Sequence, residues 1–334
     1  METILSNYHA CQLDKYNPIP CVNFSSLSVL DLSWNSFFYS TFDWFRSLTS
    51  LVTLDLSFNQ IQVPLQAAFQ NMPSLRNLYL TANNFSYTMP KWLYNLSALE
   101  RLDLSHNHIQ GNFSTCKVKN LEILNLARNH FSGSLPDQLG RIQKLSILSL
   151  HFNLLSGPIS LSIGKLSSLR VLSLFNNQLN GTIPVSFGHL SNLEHLDISH
   201  NLLEGFVSDM HLSNLTSLKQ FLASSYLLTL QNCKTLELLD FNDNNFSSEI
   251  PIWLGNSSAN LVVLMLRSNK FRGDVPQELC QLKVLQILDL AQNKISGSIL
   301  RRHQLASAAS SRVSANLPPL NPGVFSLFRF SRFS

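Results

Sequence analysis

The chain has 334 residues, of which 45% are hydrophobic and 13% are charged, a balance that favours a long continuous core. Its formal net charge of +4 arises in the last residues, because five of the 24 basic residues and none of the 20 acidic ones follow Gly297. The part before Gly297 is therefore nearly neutral, at 19 basic against 20 acidic residues, and gives no reason to expect a nucleic-acid partner.

Residues 1–26 show no clear periodicity and contain Pro18 and Pro20, which predicts an irregular N-terminal segment or a degraded repeat. From residue 27 to residue 299 the chain repeats the unit L-x-x-L-x-L-x-x-N, mostly at intervals of 24 residues. The leading leucines of these twelve units are Leu27, Leu51, Leu75, Leu99, Leu121, Leu145, Leu169, Leu193, Leu218, Leu236, Leu261 and Leu285.

Each part of the unit has a structural role. The alternation x-L-x-L-x predicts a short strand with its leucines inward, and stacked repeats then form a parallel sheet. The inward asparagine carries both a donor and an acceptor, so it can satisfy backbone groups where the chain leaves the sheet. We call these residues the ladder asparagines. They are Asn35, Asn59, Asn83, Asn107, Asn129, Asn153, Asn177, Asn201, Asn244, Asn269 and Asn293.

Two stretches depart from the repeat. Only 18 residues separate Leu218 from Leu236, and the Leu218 unit has no ladder asparagine, so we expect a disrupted region near residues 218–240. Residues 300–334 contain no repeat and are rich in serine, alanine and arginine, which predicts a basic tail without stable structure. No run of about 18 apolar residues predicts a membrane span, and no apolar core of a signal peptide is visible.

The segments GSLPDQLG from Gly133, GTIPVSFG from Gly181 and GDVPQELC from Gly273 resemble the plant-specific class of leucine-rich repeats. VNFSSLSVLDLSWN and LTSLVTLDLSFN further resemble ectodomains of plant receptor-like proteins of the disease-resistance type. The resemblance implies a leucine-rich-repeat solenoid of the α/β horseshoe or superhelix type, with short parallel strands on its concave face. It also suggests that the chain corresponds to an interior part of such an ectodomain.

The resemblance further implies a non-enzymatic module that recognises a protein or peptide, or a co-receptor, at the extracellular face of the plasma membrane, in defence or developmental signalling. Two alternatives stay open: a soluble apoplastic inhibitor of a microbial wall-degrading enzyme, and a truncated receptor fragment without function. Eight N-x-[ST] sequons indicate ancestry in a secretory compartment. They lie at Asn23, Asn84, Asn95, Asn112, Asn180, Asn214, Asn245 and Asn256.

The third, fifth, seventh and eighth positions of each unit are expected to face the concave surface. The fifth position is usually Asp or Ser, which we interpret as scaffold. Large departures from this background are the candidate ligand-binding residues, since aromatic residues with arginine are typical of interface hot spots. They are Tyr79, His106, Arg128, His151, Phe152, Phe175, His195 and His200, with Trp34 and Phe58 extending an aromatic line towards the N-terminus. Random drift or lateral packing of the rings would give the same pattern.

Catalysis and cofactor binding have little support in the sequence. The five cysteines are scattered, and no grouping of cysteine and histidine has the spacing of a metal site. His106 and His108 flank the ladder residue Asn107, so we expect their side chains to diverge. The sequence therefore predicts no catalytic residue, no cofactor and no metal.

Overall fold

The computed structural model describes residues 3–5, 25–38, 45, 47–62, 69, 72–89, 91–112, 119–203, 214–223, 235–242, 249–257 and 260–296. The sequons at Asn23 and Asn245, the ladder residue Asn244, the tail from 300 to 334 and most of residues 1–26 lie outside these ranges.

Thirteen short strands in the described residues form one parallel sheet in chain order, which we call the inner sheet. Their bounds are Thr3–Leu5, Leu27–Asp31, Thr53–Asp55, Asn77–Tyr79, Arg101–Asp103, Ile123–Asn125, Ile147–Ser149, Val171–Ser173, His195–Asp197, Gln220–Leu222, Leu238–Asp240, Val263–Met265 and Ile287–Asp289. The central leucine of a typical strand, such as Leu54, is fully buried, while its two neighbours Thr53 and Asp55 are only half-buried. The solenoid predicted from the leucine spacing is confirmed. The first strand lies in the N-terminal segment for which the sequence left a degraded repeat open.

A second parallel sheet, which we call the outer sheet, follows the ladder asparagines. Its five strands are Gln110–Asn112, His130–Gly133, Leu154–Pro158, Gln178–Gly181 and Leu202–Leu203, and a separate pair is formed by Arg272–Gly273 and Lys294–Ile295. The sequence does not predict this sheet, because its strands are only two to five residues long and lie outside the L-x-x-L-x-L segments. Gly181 occupies the left-handed region at φ 73°, which an L-residue disfavours.

Short helical turns close the repeats. The 3₁₀ turns are Lys91–Asn95, Asp137–Arg141, Leu161–Lys165, Val185–His189 and Gln277–Gln281, with one α-helical turn at Trp253–Ser257. Consecutive turns pack tightly, because a Cβ atom at Gly164 would lie 2.3 Å from the carbonyl oxygen of Ser186 in the next turn. None of the helices among the described residues has the length and hydrophobicity needed to cross a membrane.

The ladder asparagines connect adjacent repeats. Asn153 donates from Nδ2 to the carbonyl oxygens of Leu126 in the preceding repeat (3.1 Å) and of Leu150 (3.0 Å) and His151 (3.3 Å) in its own. Its Oδ1 accepts a hydrogen bond from the backbone N–H of Phe131 at 3.0 Å. Both the donor and the acceptor of the amide are therefore used. The same pattern is found at Asn59, Asn83, Asn107, Asn129, Asn177, Asn201 and Asn293.

The residue immediately before a ladder asparagine adopts a left-handed backbone conformation, with φ between 50° and 56°. The residues with this conformation are Trp34, Phe58, Ala82, His106, Arg128, Phe152, Asn176, His200, Ser268 and Gln292. This conformation lets the inter-repeat hydrogen bonds continue past the strand. The backbone N–H of Phe152 donates to the carbonyl oxygen of Phe175 at 3.0 Å, and that of Asn153 donates to Asn176 at 3.3 Å. The sequence pattern alone does not predict this conformation.

The inner sheet continues through the region where the sequence predicts a disruption. Gln220–Leu222 pairs in register with His195–Asp197 on one side and with Leu238–Asp240 on the other. Residues 224–234, the segment in which this repeat is shorter than the others, lie outside the described residues. The deviation in repeat length is therefore absent from the strand ladder itself.

Asn153→Ala should lower the free energy of unfolding by about 2–4 kcal/mol, because buried carbonyl groups and one N–H would lose their partner. Urea denaturation followed by circular dichroism measures the change. The matched control is Asn180→Ala, an exposed asparagine of the outer sheet, which should stay within about 0.5 kcal/mol of the parent. Equal effects at the two positions would contradict the structural role given to the ladder.

Ala82→Gly should raise the free energy of unfolding by about 1 kcal/mol, because glycine removes the cost of a left-handed alanine. Ala82→Val should lower the free energy by at least that amount, since a β-branched side chain tolerates this conformation poorly. The control is Ala127→Gly, one residue before a left-handed position, where glycine should destabilise by about 0.5–1 kcal/mol. Destabilisation by Ala82→Gly in the same urea titrations would count against the assigned backbone conformation.

Candidate functional site

The aspartates of the fifth position act as caps for the strand ends. Asp55 accepts a hydrogen bond from the backbone N–H of Ser57 at 2.8 Å, and Asp103 accepts from Ser105 at 2.9 Å. Asp103 also accepts from the Ser105 hydroxyl at 2.6 Å. These bonds support the interpretation of the column as scaffold, since each carboxylate satisfies a backbone group of its own repeat.

Four of the candidate residues form one contiguous group, which we call the central cluster: Arg128, His151, Phe152 and Phe175. The guanidinium carbon of Arg128 lies 4.3 Å from the ring centroid of Phe152, within cation–π distance. The rings of His151 and Phe175 stack with centroids 4.7 Å apart, and Phe152 meets Phe175 edge to face at 4.9 Å. Three consecutive repeats thus contribute to one aromatic surface.

The fifth-position residues beside the cluster explain why large rings fit there. Ser149 and Ser173 replace the usual aspartates, so the floor of the face is small and uncharged in these two repeats. The Oγ atom of Ser173 lies 3.1 Å from Nδ1 of His151, and this hydrogen bond orients the imidazole against Phe175. The seventh and eighth positions then project the rings over this floor.

Burial and positive charge lower the pKa values of two histidines of this region, His151 and His106. Burial lowers the pKa of His151 to about 4, with smaller contributions from Arg128 and His106. Burial and the neighbouring Arg128 also lower the pKa of His106. At mildly acidic pH His151 therefore contributes an uncharged ring, and Arg128 is the fixed cation of the central cluster.

Of the remaining candidate residues, His106 lies close enough to Arg128 and His151 to interact electrostatically with both. Burial raises the pKa of Tyr79, whose charged neighbours are Arg101, Asp55 and Asp103. His195 lies within a strand, where its Nδ1 is buried without a hydrogen-bond partner. Trp34 and Phe58 stack at 3.9 Å near the N-terminal end, 50% and 41% exposed. The aromatic line predicted from the sequence therefore consists of two separate groups.

A cavity of about 190 Å³ opens beside the central cluster, at the short repeat. Its lining consists of Phe175, Asp197, Ser199, His200, Leu222, Ala223, Asp240 and Asn242. Sequence reasoning identified Phe175 and His200 and missed the other lining residues. The signal was present as Leu222, an apolar residue at a fifth position where most repeats carry a polar one.

The described sequons avoid the concave positions. Asn95 ends a 3₁₀ turn, and Asn112 and Asn180 lie in the outer sheet, all three with exposed side chains. Asn214 and Asn256 are also exposed, and Asn84 is half-buried. Glycans at these asparagines would leave the face of the inner sheet uncovered.

Metal ligands are not brought together in the part of the chain that the structure describes, where no three histidine, cysteine, aspartate or glutamate side chains form a group that could hold an ion. His106 is exposed at the eighth position, whereas the His108 ring contacts the His130 ring of the outer sheet, with centroids 5.6 Å apart. The two histidine side chains therefore lie on different surfaces of the solenoid.

Comparison with known families identifies the class of protein. Two profiles described as leucine rich repeat match this chain, one over residues 25–85, 49–109 and 167–225 and the other over residues 120–142, 235–257 and 260–282. The chain belongs to the leucine-rich-repeat family. Curated relatives are plant receptor-like proteins, and the matches, at partial coverage, are consistent with the ectodomain of such a protein.

Receptor-like protein EIX2 of Solanum lycopersicum is 44% identical over 50 residues, which is 15% of this chain and 5% of the relative. The ectodomain of the Arabidopsis thaliana receptor kinase GASSHO1/SCHENGEN3, solved with CASPARIAN STRIP INTEGRITY FACTOR 2, superposes with a TM-score of 0.68 at 29% identity. That superposition covers 84% of this chain and 37% of the kinase chain. The plant peptide hormone receptor RGFR1 in complex with RGF2 gives a TM-score of 0.68 at 26% identity, covering 85% of this chain and 54% of the receptor chain. The chain thus spans only part of each.

His151 should titrate with a pKa of about 4, measured from its Cε1 proton by NMR. Because this pKa lies below the unfolded value of about 6.5, its contribution to stability is complete above pH 6.5 and is lost as pH falls towards 4. Arg128→Gln should raise the His151 pKa, since it removes a neighbouring positive charge. A wild-type pKa at or above 6.5 would show that the imidazole is not held against Phe175 as described.

Proposed function

We propose that this chain is a non-enzymatic recognition module of a plant cell-surface receptor, and that the central cluster on the concave face binds a peptide or protein ligand. The observation that carries the proposal is the contiguous surface of Arg128, His151, Phe152 and Phe175. Aromatic side chains with arginine, brought together on one accessible face, are the composition of binding hot spots. Direct ring contacts weigh against random drift, which would scatter such residues.

Two further observations support this proposal. Solved structures of the same fold include a peptide hormone receptor in complex with RGF2, and the curated relatives are receptor-like proteins. The described sequons all lie away from the concave face, so glycosylation at the cell surface would leave the cluster accessible. We place the chain at the extracellular face of the plasma membrane on this basis, and propose defence or developmental signalling as its role.

The repeat scaffold itself supports the non-enzymatic part of the proposal. The fifth-position carboxylates that resemble acid–base groups are committed to backbone N–H groups of their own repeats. The Ser173–His151 pair resembles part of a catalytic dyad, yet burial and Arg128 lower the pKa of this histidine, which makes it a poor base at neutral pH.

Substitution of the central cluster tests the proposal. The purified chain should retain a ligand from apoplastic fluid, and Arg128→Ala, Phe152→Ala and Phe175→Ala together should weaken its affinity at least about tenfold, since hot-spot truncations each cost 1 kcal/mol or more. Surface plasmon resonance with the purified ligand measures the affinity. The control is Leu161→Ala, Val185→Ala and Leu202→Ala, which removes three exposed apolar side chains from the turns and the outer sheet.

The outcome separates the proposed functions. Loss of binding in the cluster variant alone supports recognition by the concave face, whereas equal affinity of both triple variants overturns it. Inhibition of a purified fungal polygalacturonase by the chain would instead favour the soluble-inhibitor alternative. An exclusively cytosolic, unglycosylated pool of the protein in plant tissue would contradict both extracellular readings.

A further inference from the structure

The short repeat places an apolar residue between two carboxylates. In the register of the inner sheet Asp197 lies beside Leu222, and Leu222 lies beside Asp240. Two strand spacings separate the aspartates, about 9.6 Å between their backbones. The cavity beside the central cluster lies over this row, with Phe175 and His200 at its Asp197 side.

Asp197 differs from the other buried aspartates in what its second oxygen contacts. Oδ2 of Asp103 accepts a hydrogen bond from Nδ2 of Asn125, its neighbour in register, at 3.0 Å. Oδ2 of Asp289 accepts from Nε of Arg267 at 2.8 Å. In each case a side chain of an adjacent repeat compensates the buried carboxylate.

At Asp197 this compensation is missing within the described residues. Its Oδ1 accepts from the backbone N–H and the hydroxyl of Ser199, at 3.1 and 2.7 Å, but no donor reaches Oδ2. The neighbours in register are Leu222, which has no donor, and Ser173, whose hydroxyl contacts His151. A side chain only 7% exposed therefore presents an uncompensated oxygen to the cavity.

The electrostatic balance of the cavity agrees with this arrangement. Burial raises the pKa of Asp197 to about 6, against the hydrogen bonds from Ser199 and the nearby His200, and the charge of Asp240 raises it further. Two carboxylates that disfavour each other's ionisation at one cavity are stabilised by a cation between them.

We propose that this cavity binds a cationic side chain of the ligand, the guanidinium of arginine or the ammonium of lysine, between Asp197 and Asp240. Oδ2 of Asp197 accepts its hydrogen bond. A volume of about 190 Å³ corresponds to roughly six waters, enough for one head group and too small for a folded segment. This inference rests on the proposed function, because it specifies one subsite of the concave recognition face.

Calorimetric titration of the full chain at pH 7.5 and low salt tests the subsite. The probes are acetyl-Gly-Arg-Gly-amide and the same peptide with citrulline, which keeps the shape of arginine and removes its charge. We expect the arginine peptide to bind at least fivefold more tightly than the citrulline peptide. Its affinity should fall as pH decreases through about 6, because Asp197 becomes protonated. The corresponding lysine peptide shows which cation is preferred. Preferential binding of either cation over citrulline supports the site.

Leu222→Asn is the most informative variant, since it gives Asp197 the partner that Asn125 gives Asp103 and leaves every charge in place. It should weaken the arginine peptide at least fivefold, as should Asp197→Asn. The control Asp31→Asn removes a carboxylate of the same column near the N-terminal end and should leave the affinity unchanged. Circular dichroism verifies that each variant is folded.

Equal binding of arginine and citrulline peptides, or unchanged affinity in folded Leu222→Asn, would overturn the subsite. Neither result affects the proposed function, which depends on the central cluster and on the triple variant described above. Conversely, selective arginine binding that Leu222→Asn abolishes would establish the subsite even if the cluster variant retained its apoplastic ligand.

Discussion

The structure depends on how the backbone is satisfied where the chain leaves each strand of the inner sheet. A strand of three residues ends inside the stack, where water cannot reach the carbonyl oxygens that turn away from the sheet. The ladder asparagine meets this demand with one side chain, donating to carbonyl groups of two repeats and accepting from the backbone of the earlier one. Neither leucine nor aspartate has this combination of donor and acceptor, so the same residue returns in nearly every unit. Repeats are thereby joined by polar bonds as well as by stacked leucines.

Much of the fold could be predicted because its causes recur in the sequence. Leucine spacing defined the inner strands, and the asparagines defined the places where the chain turns. The outer sheet could not be predicted, because strands such as Gln178–Gly181 are held by backbone pairing between repeats and are too short to show a clear period in the sequence. The sequence also did not predict the continuous register at Gln220–Leu222. The short interval between Leu218 and Leu236 changes the length of the loop and leaves the pairing of the strand intact.

The candidate site could likewise be predicted only in part. Arg128, Phe152 and Phe175 stand out in the sequence as large residues against a background of serine and aspartate, and the structure brings them into contact. The proposed cation subsite could not be predicted, because its defining feature is the absence of a donor at Leu222 beside a carboxylate that resembles ordinary scaffold. Only the register of the strands shows that Asp197 lies beside Leu222, whose side chain cannot donate a hydrogen bond.

The left-handed residue before each ladder asparagine restricts how this surface can evolve. Tryptophan, phenylalanine, histidine, arginine, asparagine, serine, glutamine and alanine all occur at this position. Valine, isoleucine and threonine would strain it, so that column of the concave face draws on a reduced alphabet weighted towards rings, amides and cations. New specificities then arise by exchanging unbranched polar or aromatic side chains, which are the groups that make directional contacts. A requirement of the main chain thus biases this column of the concave face towards residues that make directional contacts.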